Sequence, residues 1–508
     1  LSSWLPRALA DLVAPPSVFA DATSVLVAHG LVAAQVGEGA DLFFEATFSG
    51  NGRTCGTCHP QDNNQAIDPA FVASLPASDR LFVASLPPSE GGVPGLERPA
   101  LLDREALVLE NVDGLEDPTV KFVMRGVPHS LSMATSIAQP SDGDPLGERT
   151  GWGGDAGTLN GFSNGAIRQH FPKSLDRVEG VDFRLATQEE LDAMEAFMLA
   201  SGRLQEIDLT AASLADAAAE RGRLLFLGAG KCNNCHLNAG AGTAFGNGGN
   251  FNLDTGVEEL PHPARTPGDP EFVELFPLDG GFGTQPVDLD GDGQVDFFGD
   301  GTFNVTPLIE AADTAPFFHN NVADTIEEAV DFFNTAEFNA SPGGQAVGGI
   351  SLTPVEVAEI ARFLRVLNAG LSLDVAIQRL DAGIALENSA GGGFDGAAPT
   401  RDGGEVNGTR ATVDALMVLS NVEGADAVEV LQPVGLHPSA VTLIQSASVK
   451  CQQALAEGSS RTRSRLMQGA VADLQSARGQ LGAGFDFVVG EGNLLFGSSE
   501  PTISGPVL

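Results

Sequence analysis

Four of the five cysteines stand in two Cys-x-x-Cys-His motifs, Cys55-Gly56-Thr57-Cys58-His59 and Cys232-Asn233-Asn234-Cys235-His236. Two thiols at this spacing can form thioether bonds to one haem, and the histidine that follows can then lie under its iron. This is the attachment signature of c-type haem. The alternatives are a redox dithiol or half of a zinc site. Two full copies, with no Cys-x-x-Cys lacking its His, favour haem over both. The motifs therefore predict two covalently bound haem c groups on Cys55, Cys58, Cys232 and Cys235, with His59 and His236 as iron ligands. Such attachment implies an oxidising setting, periplasmic or extracellular. Cys451 stands apart in an apolar helical pattern and reads as a buried, inert thiol.

The chain that must position these groups has 508 residues, a length that suggests about three domains. Apolar residues make up 43% and charged residues 19%, with 62 Gly and 30 Pro, so several cores joined by long loops are expected. No apolar run reaches the roughly 18 residues of a membrane-spanning helix. The net charge of −40 leaves no basic field for nucleic acid or an anionic membrane and suits a basic protein partner or divalent cations. There are 30 Phe and no Tyr, an imbalance that leaves open whether residue 333 and other Phe positions are Tyr.

The two motifs head two similar halves. Leu42-Phe43-Phe44 precedes the first and Leu224-Leu225-Phe226 the second, each followed by a Gly-containing turn. Each half closes on a helix with a capping box. In the first, Thr187 and Glu190 lead into Leu191, Met194, Phe197 and Met198; in the second, Thr353 and Glu356 lead into Val357, Ile360, Phe363, Leu364 and Leu367. Between motif and helix, Trp152 precedes Thr158 by the same interval as His319 precedes Thr325. Carrying this register onward, with one helical turn inserted in the first half, pairs His170 with Phe333. Haem motif first and amphipathic helix last describes a cytochrome c module, twice over.

Thr306-Pro307-Leu308, then Thr314-Ala315-Pro316-Phe317-Phe318-His319-Asn320, then Thr325-Ile326-Glu327-Glu328-Ala329-Val330 complete a pattern. Together with the two haem motifs, residues from about 40 to 370 resemble the bacterial di-haem cytochrome c peroxidase and MauG family. The resemblance implies two haem domains packed face to face, often with calcium near the junction. One haem would meet hydrogen peroxide and the other would store or relay electrons. It makes Phe333 the counterpart of the second haem's distal ligand, which is Met in the peroxidases and Tyr in the MauG branch. It makes Trp152 the tryptophan between the haems. It places His319 at the second haem's edge as a non-ligand. The first haem departs from the pattern, because after His59 the next histidine is His129. His170 is the leading candidate for the far side of that haem, as axial ligand or as acid/base for O–O cleavage, with His129 the weaker one. The family's distal Gln and Glu are not evident at matching positions.

Asp288, Asp290, Asp292, Gln294 and Asp296, with Gly at the sixth position, have the pattern of a calcium loop, although the usual Glu at the twelfth position is replaced by Gly299. Further on, Gly391 to Gly404 reads as a linker. The spacing of Ile444, Cys451 and Leu455, and of Leu466, Ala470, Leu474 and Leu481, predicts a helical hairpin, with a closing turn over Gly490–Leu494. The expected architecture is mainly α: an N-terminal arm (1–40), two cytochrome c-like haem domains (41–205 and 206–370) with long loops, and a C-terminal helical extension (371–508). The leading functional expectation is an exported di-haem oxidoreductase that reduces hydrogen peroxide or uses it to oxidise a partner. Electrons would come from a small cytochrome, a cupredoxin or an oxidised protein side chain. The contrasting expectation is a di-haem electron-transfer cytochrome, or a redox subunit of a larger assembly, without peroxide chemistry. An oxygenase is a weaker third.

Overall fold

The computed structural model describes residues 22–111, 121–137, 149–154, 157–243, 250–260, 278–283, 286–288, 291, 293, 297–389 and 403–497. The first 21 residues of the expected arm and most of the expected Gly-rich linker lie outside them. Within the described residues the chain is mainly α, as expected.

Helices α1 (Ala34–Glu45), α2 (Leu159–His170) and α3 (Gln188–Leu199) frame the first haem motif. A ribbon of β1 (Leu107–Asn111) antiparallel to β2 (Phe122–Gly126) joins them. The counterparts around the second motif are α4 (Ala217–Leu227), α5 (Ile326–Asp331) and α6 (Pro354–Ser389). The caps fall where the sequence puts them. Thr187 and Glu190 form a reciprocal box at α3, and Thr353 and Glu356 do the same at α6. Thr158 and Thr325 cap α2 and α5 by accepting from the third residue onward.

The repeat is also physical. α1 crosses α3 at Gly39, where a Cβ would lie 1.9 Å from the Ala193 carbonyl oxygen; α4 crosses α6 at Gly222, where a Cβ would lie 1.9 Å from that of Glu359. Only glycine lets the backbones meet so closely. One turn beyond each glycine, a phenylalanine packs on a phenylalanine of the partner helix. Phe43 and Phe197 have centroids 5.2 Å apart at 57°, and Phe226 and Phe363 have centroids 5.3 Å apart at 57°. The counterpart of Phe226 is thus Phe43.

Helix α6 continues through Gly370, so the boundary expected at 370/371 falls inside it. Gly370 is a contact point instead of a stop: a Cβ there would sit 3.0 Å from the ring of Phe485. The outer half of α6 joins α7 (Gly403–Leu431), α8 (Pro438–Ala456) and α9 (Ser460–Leu481) in an antiparallel four-helix bundle. The expected hairpin is α8 and α9, with Cys451 buried in it. Helix α7 was not anticipated. The chain then returns to the second half, where β4 (Gly482–Ala483) pairs with β3 (Ser213–Leu214). Asn493, in the closing turn, exchanges hydrogen bonds with the backbone of Gly202 at 2.7 and 3.1 Å.

Basic residues are scarce, yet four arginines are among the largest fully buried side chains: Arg53, Arg203, Arg379 and Arg463. Each is matched by carboxylate: Glu97, Glu310, Glu423, and Glu387 with Asp414. Removing one member of such a pair would strand a buried charge. Among the described residues, no helix is long and apolar enough to cross a membrane.

Candidate functional site

Each Cys-x-x-Cys-His motif opens on an internal cavity. The first cavity has a volume of about 250 Å3, and Cys55, Cys58, His59, His129, His170 and Trp152 all line it. The second is narrower, about 40 Å3, and is lined by Cys232, Cys235 and His236 with a mostly apolar wall that includes Phe333. Leu308 lines both. An aromatic run also joins them: Phe318, in the first wall, packs edge-on against Phe332 at 5.0 Å, and Phe332 packs against Phe333 at 5.1 Å.

The two motif histidines are held alike. His59 Nδ1 is 2.8 Å from the Gln65 carbonyl oxygen, and His236 Nδ1 is 2.9 Å from that of Thr306. A carbonyl only accepts, so Nδ1 carries the proton and the Nε2 lone pair is left for a metal. Burial lowers both imidazoles to about 4, so they stay neutral and able to ligate. Burial also pushes the thiols up, Cys55 and Cys232 to about 12 and Cys58 and Cys235 to about 11. They are therefore thiols and not thiolates at neutral pH in the unloaded chain. Among the described residues, no group of three or more His, Cys, Asp or Glu is placed to hold a metal ion directly. The donor set and apolar walls fit a covalently attached haem at each motif.

The first cavity carries more polar chemistry. Asn51, in the turn before the motif, holds the end of α2: its Nδ2 donates to the carbonyls of His170 at 2.9 Å and Pro172 at 3.1 Å, and its N–H to that of Phe171 at 2.8 Å. Arg53 donates to Glu97 at 2.7 Å, and Glu97 also accepts the Leu109 N–H at 2.7 Å. Burial alone would raise the Glu97 carboxyl, but Arg53 beside it holds it below the usual range. The Nδ1 atoms of His129 and His170 are both buried without a hydrogen-bond partner. Burial lowers the His129 pKa. Met133 and Met198 line the same cavity.

Trp152 lines the first cavity, and its Nε1–H donates to the Gly126 carbonyl at 2.7 Å. His319 lines neither cavity. It lies buried, stacked on Phe303 with centroids 3.9 Å apart, and its Nε2 bonds to Glu258. His319 therefore does not reach the second cavity, where the sequence placed it; it packs behind Trp152 as a hydrogen-bonded histidine. Nearby, Arg125 grips Asp279 with two bonds of 2.6 and 2.7 Å.

Of the calcium-loop candidates, Asp290, Asp292, Gln294 and Asp296 lie outside the described residues. Asp288 accepts the N–H groups of Gly291 at 2.7 Å and Gly293 at 2.9 Å, the turn that the Gly pattern predicts. The sequence reading missed Asn51, Arg53 and Glu97. Arg53 was visible as a cation two residues before Cys55, but nothing local marked Glu97 as its partner.

No family model matches the chain, and no curated protein does. Among solved structures, it is similar to a MauG-like protein associated with microbial copper homeostasis. The identity is 16% and the TM-score 0.33, over 66% of this chain and 88% of the other.

Proposed function

We propose that the chain is an exported di-haem c-type oxidoreductase of the peroxidase/MauG kind, which reduces hydrogen peroxide or uses it to oxidise a partner. The reading takes residues 41–205 and 206–370 as its two haem domains, with α6 running on into the extension. One observation carries it: each Cys-x-x-Cys-His motif opens on its own cavity, with the imidazole Nδ1 tied to a carbonyl and Nε2 left free.

Cys55, Cys58, Cys232 and Cys235 would hold the two haems, and His59 and His236 would bind their irons from one side. Bound haem iron supplies peroxide reduction and one-electron storage. The protein does the rest. Apolar walls around His236 exclude water and bring no ligating side chain from Phe333. His170 and His129 offer imidazole nitrogens in the first cavity. Trp152 lies on the wall of the first cavity, and its indole N–H is fixed on Gly126, so its ring is oriented for electron passage between the halves. The strongly acidic chain suits a basic electron-donor protein. Calcium is proposed at the Asp288 loop, and a rise in melting temperature on adding Ca2+ to metal-stripped protein would test it.

The deciding experiment is stopped-flow absorbance of the haem-loaded protein, ferric and half-reduced, on adding hydrogen peroxide. Rapid conversion of a high-spin species supports the reading. Two low-spin haems that ignore peroxide in both states would make the protein an electron carrier.

A further inference from the structure

Glu97 is a fully buried carboxylate beside the first cavity, and the proposed chemistry gives it no task. Its Oε1 accepts from Arg53 and its Oε2 from Leu109. The Nδ1 of His170 lies 3.8 Å from the same Oε1, within ion-pair reach and beyond a hydrogen bond, and has no other partner. That leaves Nε2 as the nitrogen for the cavity His170 shares with His59.

We infer that Glu97 is the positioning residue for a second histidine ligand: its carboxylate faces the Nδ1 side of His170, which would leave Nε2 as the nitrogen offered to iron held at the first motif. The inference rests on the di-haem reading and deepens it. A neutral imidazole has two tautomers, and a carboxylate at Nδ1 selects the one whose Nε2 can ligate. Glu97 is itself immobile. Arg53 holds it at 2.7 Å while also donating to the carbonyls of Arg80 at 3.2 Å and Leu81 at 2.6 Å. Arg53 stands two residues before Cys55, so one rigid piece fixes the attachment motif and the carboxylate together. Asn51, in that same piece, grips the backbone at His170 and Pro172.

His129 has no comparable support. The carboxylate that acts on its charge, Glu310, is already taken by Arg203 at 2.8 Å and Ser132 at 2.6 Å. The repeat points the same way. His170 and Phe333 are the register-matched residues after caps Thr158 and Thr325, and each lines the cavity of its own motif. A phenyl ring cannot ligate. With haem bound, the first cavity would thus offer iron two imidazoles, His59 and His170, and the second only His236.

The test uses the full-length, haem-loaded protein, with low-temperature electron paramagnetic resonance and a potentiometric titration. The wild type should show one low-spin haem with a bis-histidine signature. His170→Ala should turn that haem high-spin and leave the other unchanged. Glu97→Gln should keep it low-spin and shift its midpoint potential upward, because the imidazole loses its carboxylate and donates less to the iron. Glu97→Gln also strands Arg53, so Glu97→Asp provides a folding-competent check: the charge stays and the reach to His170 shortens, giving a smaller upward shift. A wild-type first haem that is high-spin or thioether-ligated, from Met133 or Met198, overturns the inference. So does a His170→Ala protein with unchanged spin states, or a potential that neither Glu97 variant moves. Fewer than two haems per chain would instead overturn the di-haem reading beneath it.

Discussion

Trp152 and His319 meet edge to face, with ring centroids 6.4 Å apart and planes at 73°. They are counterparts, each the same distance before the threonine that caps the next helix. The two halves thus meet through equivalent positions. Gly126 ties them together: it accepts from the Trp152 indole at 2.7 Å and donates its N–H to the His319 carbonyl at 2.7 Å.

Trp152→Phe removes the indole donor and leaves Gly126 with an unmet acceptor. The lost hydrogen bond should cost about 1 kcal/mol of stability, read by chemical denaturation. If the indole carries electrons between the halves, peroxide-driven turnover should also fall by about tenfold or more, a barrier change of about 1.4 kcal/mol. A turnover loss no larger than that of a stability-matched core variant would leave Trp152 a purely structural residue.

The two helix crossings make a paired prediction. At an exposed helical site, Gly→Ala stabilises, but Gly39→Ala and Gly222→Ala each drive a methyl to 1.9 Å from a carbonyl oxygen. Each should therefore destabilise by about 1–3 kcal/mol, the usual cost of overpacking. Thermal melts that rise for either variant would mean that the helices cross less tightly than this.

Replacing Cys55 and Cys58 together by Ser should leave one covalent haem per chain, and replacing Cys232 and Cys235 should leave the other. Intact mass and pyridine haemochrome absorbance count them. Masses that differ from wild type only by the two Cys→Ser exchanges would refute covalent attachment.

Stability should depend on pH through Asp313, at the seam between the second half and the bundle. Burial pushes its carboxyl from 3.8 up to about 8, and Glu423 and Glu310 add to the rise. Burial also raises Glu423 and Asp426 on α7, with Arg379 as the cation facing them. Between about 4 and about 8 the folded chain thus holds a proton that the unfolded chain has released. Stability then falls as pH rises through that window and levels off above it. Asp313→Asn should flatten the slope. Glu97 and Asp279 act oppositely: arginine partners hold both low against burial, so their contribution is lost as pH falls below the ordinary carboxylate range. Denaturant melts from pH 4 to 9 should therefore peak on the acid side of neutrality.

Much of this was legible in the sequence because it is local. The two Cys-x-x-Cys-His motifs, the capping boxes at Thr187 and Thr353 and the hairpin of α8 and α9 depend on residues within a few positions of one another. The pairing of His170 with Phe333 comes from matching the two halves with one helical turn inserted in the first. The partner of Arg53 was not legible, because Glu97 lies 44 residues away and no periodicity links them. His319 was misread for a similar reason: Glu258 and Phe303, which hold it, come from loops with no pattern of their own. The extent of α6 was hidden by Gly370, whose role is set by Phe485 from the far end of the chain.

Helix α6, 36 residues long, belongs at once to the second haem half and to the bundle. At 1.5 Å per residue, it is a single strut of about 54 Å. The bundle therefore cannot hinge against that half without breaking a helix, and a chain cut near residue 370 would bare the apolar seam on both pieces. Residues on the outer end of the bundle are therefore held at a set distance from the half that carries His236, like two marks on one ruler.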